Sequence, residues 1–129
     1  MESLDVYSFI SSIYPFNLFE VDEIRELSSH TDIVDAQTGD IVIDQNSEAA
    51  YFYIVAKGVV KEYGDIESYF GERDFFDFSA LLFSTFRHRY ECVEEALLYR
   101  ISKEVLVHLV RKNQKIERYF LVSSAHRLE

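Results

Sequence analysis

The stretch that decides the fold covers residues 70–90 and reads FGERDFFDFSALLFSTFRHRY. Strand-like residues at its start lead into a turn, and the pattern then predicts a short apolar helical turn over residues 77–83. A polar link follows, and the next predicted strand carries Arg87 and Arg89. Unpaired backbone N–H groups at a helix N-terminus and a nearby fixed cation both attract an anion, so this order is typical of a phosphate site.

Length and composition indicate a single domain in a reducing compartment. The chain has 129 residues, of which 48% are hydrophobic, enough to bury a substantial core. It has no apolar run of about 18 residues that could span a membrane, and its N-terminus does not resemble a secretion signal. Its one cysteine, Cys92, cannot form an internal disulfide. We therefore expect a cytoplasmic, non-membrane protein.

The charge is negative overall but unevenly distributed. The formal net charge is −10, which argues against binding to nucleic acid or to an anionic membrane. Residues 1–99 contain 6 Lys and Arg against 20 Asp and Glu, whereas residues 100–129 contain 7 against 3. A basic tail on an acidic body suggests that the tail packs on the body, on a second copy or on a following domain. A solvated surface without a partner is the other interpretation.

Hydrophobic periodicity predicts helices at both ends and strands between them. The helices are expected at residues 4–14, 20–29, 103–112 and 114–126, with Ser102 and Asn113 as caps. Gly64-Asp65 is expected to form a two-residue hairpin turn, because glycine accepts the positive φ of such turns. Turns are also expected at Lys57-Gly58 and Glu94-Glu95. The predicted strands are residues 31–36, 41–44, 51–56, 59–63, 66–70, 87–93 and 96–101.

Several short motifs follow one another in an order that matches a known family. They are Pro15-Phe16 with Phe19, residues 38–43 at the first sheet turn, residues 51–60 across a strand pair, Asp74-Phe75-Phe76, and Ala80-Leu81-Leu82. Together they resemble the cyclic nucleotide-binding domain of the CRP and protein kinase A regulatory type. The resemblance covers about residues 14–120. It implies a mainly β fold, an antiparallel jelly-roll β-barrel with N-terminal and C-terminal α-helices.

The resemblance is closest to one version of this domain. In that version the domain opens bacterial signalling proteins and precedes paired cystathionine-synthase-type domains and a nucleotidyltransferase domain. The residues that point to it are 94–101, Arg111-Lys112-Asn113 and Tyr119-Phe120. The resemblance then implies that the chain is an N-terminal module. Its partners would be downstream domains of the same chain or a second subunit.

The phosphate cassette departs from the pattern of ligand-binding family members. In those members a Phe-Gly-Glu motif opens the cassette helix, where Gly allows close approach of the ligand and Glu binds the ribose. Here Phe76 matches, whereas Asp77 and Phe78 replace Gly and Glu, followed by Ser79 and Ala80. A carboxylate about 4 Å from a phosphate costs roughly 4 kcal/mol at an effective dielectric of about 20. We therefore predict a degenerate pocket.

The cation of the cassette has two candidates. Counting forward from the helix places Arg87 at the phosphate position of the family, whereas counting back from Glu94-Glu95 shifts the match by one residue and places Phe86 there. The segment is one residue short, and Arg89 is the other candidate. One interpretation is that Arg87 and Arg89 pair with Asp74, Asp77 or Glu91 and fill the old pocket. The alternative is that they hold a cyclic nucleotide or another anion.

The sequence contains no recognisable catalytic motif. Phosphate loops, nucleophile elbows and paired catalytic carboxylates are missing. His88 and Cys92 would lie about 13 Å apart along a strand, too far to share a metal ion. A cupin-like enzyme would need clustered His and carboxylate ligands. We expect no enzyme, metal site or resident cofactor.

Aromatic and apolar residues suggest where contacts form. Phe75 and Phe76 are expected in the core. The predicted contact residues are Phe83, Phe86, Ile116, Tyr119 and Phe120. The predicted function is a regulatory module that acts through its C-terminal helices, and the alternative is a sensor of a small anion.

Overall fold

The computed structural model describes residues 2–76 and 83–128. In this part of the chain, four α-helices flank one six-stranded antiparallel sheet. The helices are α1 (Glu2–Ser11), α2 (Val21–Ser29), α3 (Lys103–Arg111) and α4 (Gln114–Leu128), and a 3-10 turn (Phe16–Leu18) joins α1 to α2. The strands are β1 (Thr31–Ala36), β2 (Ile41–Ile43), β3 (Tyr51–Tyr63), β4 (Glu67–Phe70), β5 (Phe75–Phe76) and β6 (Arg89–Ser102).

The sheet is built around β6 and β3. The strand order is β1-β6-β3-β4, while β2 pairs with β6 and β5 pairs with β3. The predicted class, mainly antiparallel β with helices at both ends, is confirmed. The sheet is not closed into a barrel, because no pairing among the described residues joins β1 to β4. The short strands β2 and β5 each pair with one long strand only, so they extend the sheet without closing it.

Each of the two long strands was predicted as two shorter ones. Gly58 has φ of 90° within β3, and the pairing with β6 shifts register around it. A Cβ on this glycine would lie 2.3 Å from the carbonyl oxygen of Glu95. The predicted turns at Lys57-Gly58 and Glu94-Glu95 are therefore wrong. An irregularity of this kind takes up extra residues and bends the strands without ending them.

The hairpin between β3 and β4 also differs from the prediction. Tyr63 pairs with Glu67, so the loop has three residues, Gly64, Asp65 and Ile66. Gly64 is not among the residues with positive φ, so the predicted two-residue turn is wrong. A Cβ on Gly64 would lie 3.1 Å from the His88 ring. The glycine gives room to a neighbouring strand instead of supplying a left-handed turn.

The helix ends follow local capping chemistry. Glu20 and Glu23 form a capping box at the start of α2. The predicted caps at α3 and α4 are confirmed: Ser102 Oγ accepts a hydrogen bond from Val105 N at 3.5 Å, and Asn113 Oδ1 accepts one from Ile116 N at 3.2 Å. Helix α1 ends at Ser11, before the predicted residue 14.

An aromatic layer joins the helices to the sheet. Phe16 of the 3-10 turn, Phe52 of β3 and Phe120 of α4 are buried, with ring centroids 5.8–6.3 Å apart. These contacts fix α4 against the sheet through apolar burial and ring packing. Within residues 2–76 and 83–128, no helix is long and apolar enough to cross a membrane.

Candidate functional site

The entry of the predicted cassette lies on β5, whose two side chains have different neighbours. Phe76 is fully buried and stacks on Tyr90 at 4.9 Å and on Tyr53 at 5.5 Å between ring centroids. Phe70 lies 5.6 Å from the same ring. We call Tyr53, Phe70, Phe76, Phe86 and Tyr90 the ring cluster. The expected core position of Phe76 is confirmed.

Phe86 belongs to this cluster and is not exposed. Its ring is 3% exposed and lies 6.3 Å from the ring of Tyr53. The backbone holds it in place, since Phe86 N donates to Ser47 O and Asn46 N donates to Phe86 O, both at 2.9 Å. The prediction of Phe86 as a contact residue is therefore wrong. Phe83 is 39% exposed, and its contact role stays a prediction.

The residues that open the predicted cassette helix, Asp77, Phe78, Ser79 and Ala80, lie outside the described residues. Their roles stay predictions.

The two arginines do not form the predicted ion cluster with described acids. The Arg87 side chain is exposed, and its guanidinium lies 5.5 Å from the ring centroid of Phe83. Arg89 is stacked 4.6 Å from the ring of Tyr63. Successive strand residues point to opposite faces, so Arg89 and the buried Tyr90 lie on different sides of β6.

Two of the acids expected to pair with these arginines, Asp74 and Glu91, lie in the described part of the chain, and neither forms an ion pair with them there. Asp74 accepts a hydrogen bond from Gly71 N at 2.8 Å and so closes the turn before β5. In that turn Arg73 has φ of 76°, the left-handed conformation that a glycine adopts easily. Glu91 forms no ion pair with any arginine among the described residues.

A buried carboxylate beside the ring cluster was missed by the sequence reasoning. Glu62 is 9% exposed, and its Oε2 accepts a hydrogen bond from Tyr90 Oη at 2.8 Å. The same oxygen lies 2.7 Å from His88 Nδ1. The sequence signal that could have found it is an acidic residue at a position of β3 where the alternation of side chains points inward. A carboxylate here raises the cost of placing an anion nearby.

Burial changes the ionisation of two groups near the sheet interior. Burial raises the pKa of the Tyr53 hydroxyl, and a hydrogen bond with Arg100 opposes that shift. Burial also raises the pKa of the Cys92 thiol, and the charge of Asp40 adds to the effect. Both groups are therefore neutral at physiological pH.

These shifts predict a loss of stability in alkali. An acid with a higher pKa in the folded state stabilises the fold below its unfolded pKa, and this stability is lost as the pH rises through the folded pKa. The ordinary values are 9.0 for Cys92 and 10.0 for Tyr53, so the urea midpoint should fall above about pH 9. Cys92→Ala should remove the earlier part of the fall. A constant midpoint up to about pH 11 would contradict this expectation.

An open groove of about 1050 Å³ lies on the surface beside α2 and α3. It is lined by residues of α2, β1 and α3 and by the segment before β3, and includes Tyr51, Lys103 and His108. None of Phe76, Arg87 or Arg89 lines it. Ser84, which follows the predicted cassette helix, does line it.

The other residue of β5 packs against the C-terminal helix. Phe75 lies 6.2 Å from Phe120 and 6.4 Å from Tyr119 between ring centroids. Ile116 and Phe120 are 0% and 3% exposed, so the prediction that they form an outside contact is wrong. Tyr119 is partly buried and packs edge-on against Tyr14 at 5.3 Å.

Comparison with known proteins identifies one family. The family model described as "Cyclic nucleotide-binding domain" matches residues 33–113. A search of curated proteins gave no match.

Solved structures share the fold at low sequence identity. The sensor domain of the transcriptional regulator DNR from Pseudomonas aeruginosa is 22% identical with a TM-score of 0.86, and the match covers 99% of this chain and 92% of that one. The regulatory domain of Toxoplasma gondii PKA, crystallised with cAMP, is 15% identical with a TM-score of 0.83, covering 97% of this chain and 50% of that one. A putative cyclic nucleotide binding protein from Ruegeria pomeroyi is 19% identical with a TM-score of 0.76, and the match covers 99% of this chain and 60% of that one.

Proposed function

Because this chain belongs to the cyclic nucleotide-binding domain family, we propose that it is a non-catalytic regulatory module with a degenerate nucleotide pocket. It acts through its C-terminal helices on an attached domain or on a second subunit. The setting is a bacterial cytoplasm, and the attached domains are of the cystathionine-synthase and nucleotidyltransferase type.

The observation that carries the proposal is the ring cluster at the cassette entry. Phe76 packs between Tyr53 and Tyr90, and Phe70 and Phe86 complete the cluster. Interiors packed in this way have few voids larger than a water molecule. Phe76 itself matches the pattern of ligand-binding members, so the support comes from the rings of Tyr53 and Tyr90 packed on it, which an entering nucleotide would have to displace. The packed rings therefore support the proposal that the domain keeps its fold without a bound nucleotide.

Electrostatics at the same place support the proposal. Glu62 is buried beside Tyr90, and the sequence adds Asp77 just after Phe76. Two acids near a phosphate oppose its binding, since like charges at close range repel most strongly where water is excluded. Arg89 stacks on Tyr63, on the other side of β6.

Two contacts support action through the C-terminal helices. The first is β5 itself, where Phe76 joins the ring cluster while the adjacent Phe75 packs on Phe120 of α4. The second is a hydrogen bond from Lys103 Nζ, at the start of α3, to the carbonyl oxygen of Phe83 at 2.7 Å. A shift of the cassette would therefore move groups that touch both helices.

One observation favours a second candidate, a sensor of a cyclic nucleotide or another small anion. Arg87 is exposed and forms no ion pair with a described residue. A guanidinium in this state can bind an anion with two hydrogen bonds. The site would use Arg87, with Arg89 as the other candidate.

Calorimetric titration with cyclic AMP and cyclic GMP separates the two candidates. We expect no saturable heat at millimolar ligand, because the ring cluster and the acids oppose entry. A ligand-binding domain of the same family, titrated under identical conditions, is the positive control. Saturable heat that is lost in Arg87→Ala would establish the sensor instead. Thermal denaturation gives a second readout, since a ligand at 100 times its Kd adds about 2.7 kcal/mol of stability.

A further inference from the structure

One side of α4 presents cations and apolar groups that the rest of the domain does not cover. Lys115 and Arg118 are exposed, and neither forms an ion pair with a described residue. Leu121 and Val122 are 55% and 51% exposed. Residues three or four apart share a helix face, so these four side chains are neighbours. We call them the α4 strip.

A surface of opposite charge lies where β2 meets β6. Ile41 is 51% exposed, and Asp40, Glu94 and Glu95 are exposed as well. Cys92 N donates to Asp40 O at 2.8 Å, which places the start of β2 two residues from Glu94. None of these acids forms an ion pair with a described residue. We call Asp40, Ile41, Glu94 and Glu95 the acidic patch.

We propose that the α4 strip of one molecule docks on the acidic patch of a second copy of this chain. The proposal rests on the proposed function in taking α4 as the element that meets a partner, and it names that partner. Each surface combines exposed apolar groups with charges of one sign, and the signs are opposite. The whole chain has the same asymmetry, with 20 acids against 6 bases in residues 1–99 and 7 bases against 3 acids in residues 100–129.

Other surfaces of a second copy match the positive charge of the α4 strip less well. Two α4 strips related by a parallel two-fold axis would place Lys115 opposite Lys115, and like charges in contact are unfavourable. Helix α2 carries Asp22 and Glu26, but Arg25 lies 3.8 Å from Asp22 and partly neutralises that face. The acidic patch has no such cation in an ion pair among the described residues. It is therefore the better match.

The contact should be weak and sensitive to salt. Exposed ion pairs contribute about 0–1 kcal/mol each and are screened at physiological ionic strength. The exposed Ile41, Leu121 and Val122 supply the apolar part of the contact. In this arrangement the α4 strip of one copy meets the acidic patch of the other, so each pair keeps one unused α4 strip and one unused acidic patch. Larger assemblies should therefore appear as the concentration rises.

Charge exchange between two variants tests the proposal in analytical ultracentrifugation. The first variant carries Lys115→Glu with Arg118→Glu, and the second carries Glu94→Lys with Glu95→Lys. We expect the natural chain to associate at low salt, and each variant alone to associate at least about tenfold more weakly. An equimolar mixture should regain association, because the acidic strip of the first variant faces the basic patch of the second.

A matched control changes the same net charge elsewhere. Asp22→Lys with Glu26→Lys on α2 should associate like the natural chain. The proposal is overturned if the natural chain stays monomeric at about 1 mM, if the mixture stays monomeric, or if the α2 control loses association. Circular dichroism checks the fold, and Glu94→Gln with Glu95→Gln replaces a variant that fails to fold. The nucleotide titration is independent, so this proposal can fail while the proposed function holds.

Discussion

Gly58→Ala is expected to destabilise the fold by about 3–5 kcal/mol. Gly58 has φ of 90°, and an L side chain in left-handed backbone costs about 1–2 kcal/mol. A Cβ would also lie 2.3 Å from Glu95 O and 2.6 Å from Ala96 Cα, which are backbone atoms of the central strand. Because β6 is paired on both sides there, it cannot move away without loss of hydrogen bonds. Urea denaturation measures the change in the free energy of unfolding.

Gly39→Ala is the matched control for this prediction. Gly39 has φ of 95°, but a Cβ on it would meet nothing within 4 Å. The loss should therefore be only the backbone strain of about 1–2 kcal/mol. Equal losses for the two variants would show that the contact with β6 is not the cause. A loss of less than about 1 kcal/mol for Gly58→Ala would contradict the described geometry.

Phe76→Ala should cost about 3–5 kcal/mol, because it removes a fully buried ring and leaves a cavity. The ring contacts Tyr53, Phe70 and Tyr90, and all three are held by strands that are paired on the sheet. The site can therefore collapse only partly. Denaturation in urea again measures the loss, with near-ultraviolet circular dichroism as a report on tyrosine packing.

Phe83→Ala is the control for the ring cluster. Phe83 is 39% exposed and its contact with Arg87 is at the surface, so the change should stay within about 0.5–1 kcal/mol. A small loss for Phe76→Ala, similar to that of Phe83→Ala, would mean that the ring cluster is not tightly packed. The main support for a degenerate pocket would then be lost.

Local sequence signals led to correct predictions where the cause is local. Strand β1 matches the prediction residue for residue. Ser102 and Asn113 are caps because a side-chain oxygen next to free N–H groups needs only a few residues to act. The family order of motifs also predicted the mainly β class with flanking helices. The predicted effects of Asp77 and Phe78 on ligand binding remain predictions, because those residues lie outside the described part of the chain.

The sequence could not predict the role of Gly58 or the burial of particular aromatic residues. Gly58 was predicted to lie in a turn. Its positive φ instead belongs to a register shift inside β3, and this shift depends on the pairing with β6. Phe86 and Phe120 looked available for contact, yet both are buried by residues far away in the chain. Periodicity reports that a residue is apolar, and only packing decides which surface covers it.

The sequence by itself determined the element types, the caps, the family and the uneven charge, because each depends on neighbouring residues or on composition. Tertiary structure alone decided that Phe76 is enclosed by Tyr53 and Tyr90, that Glu62 is buried, and that Arg89 stacks on Tyr63. These contacts join residues on different strands, and the pairing register of the sheet selects them. A pocket is defined by such long-range contacts, so its filling could be seen only once the chain was folded.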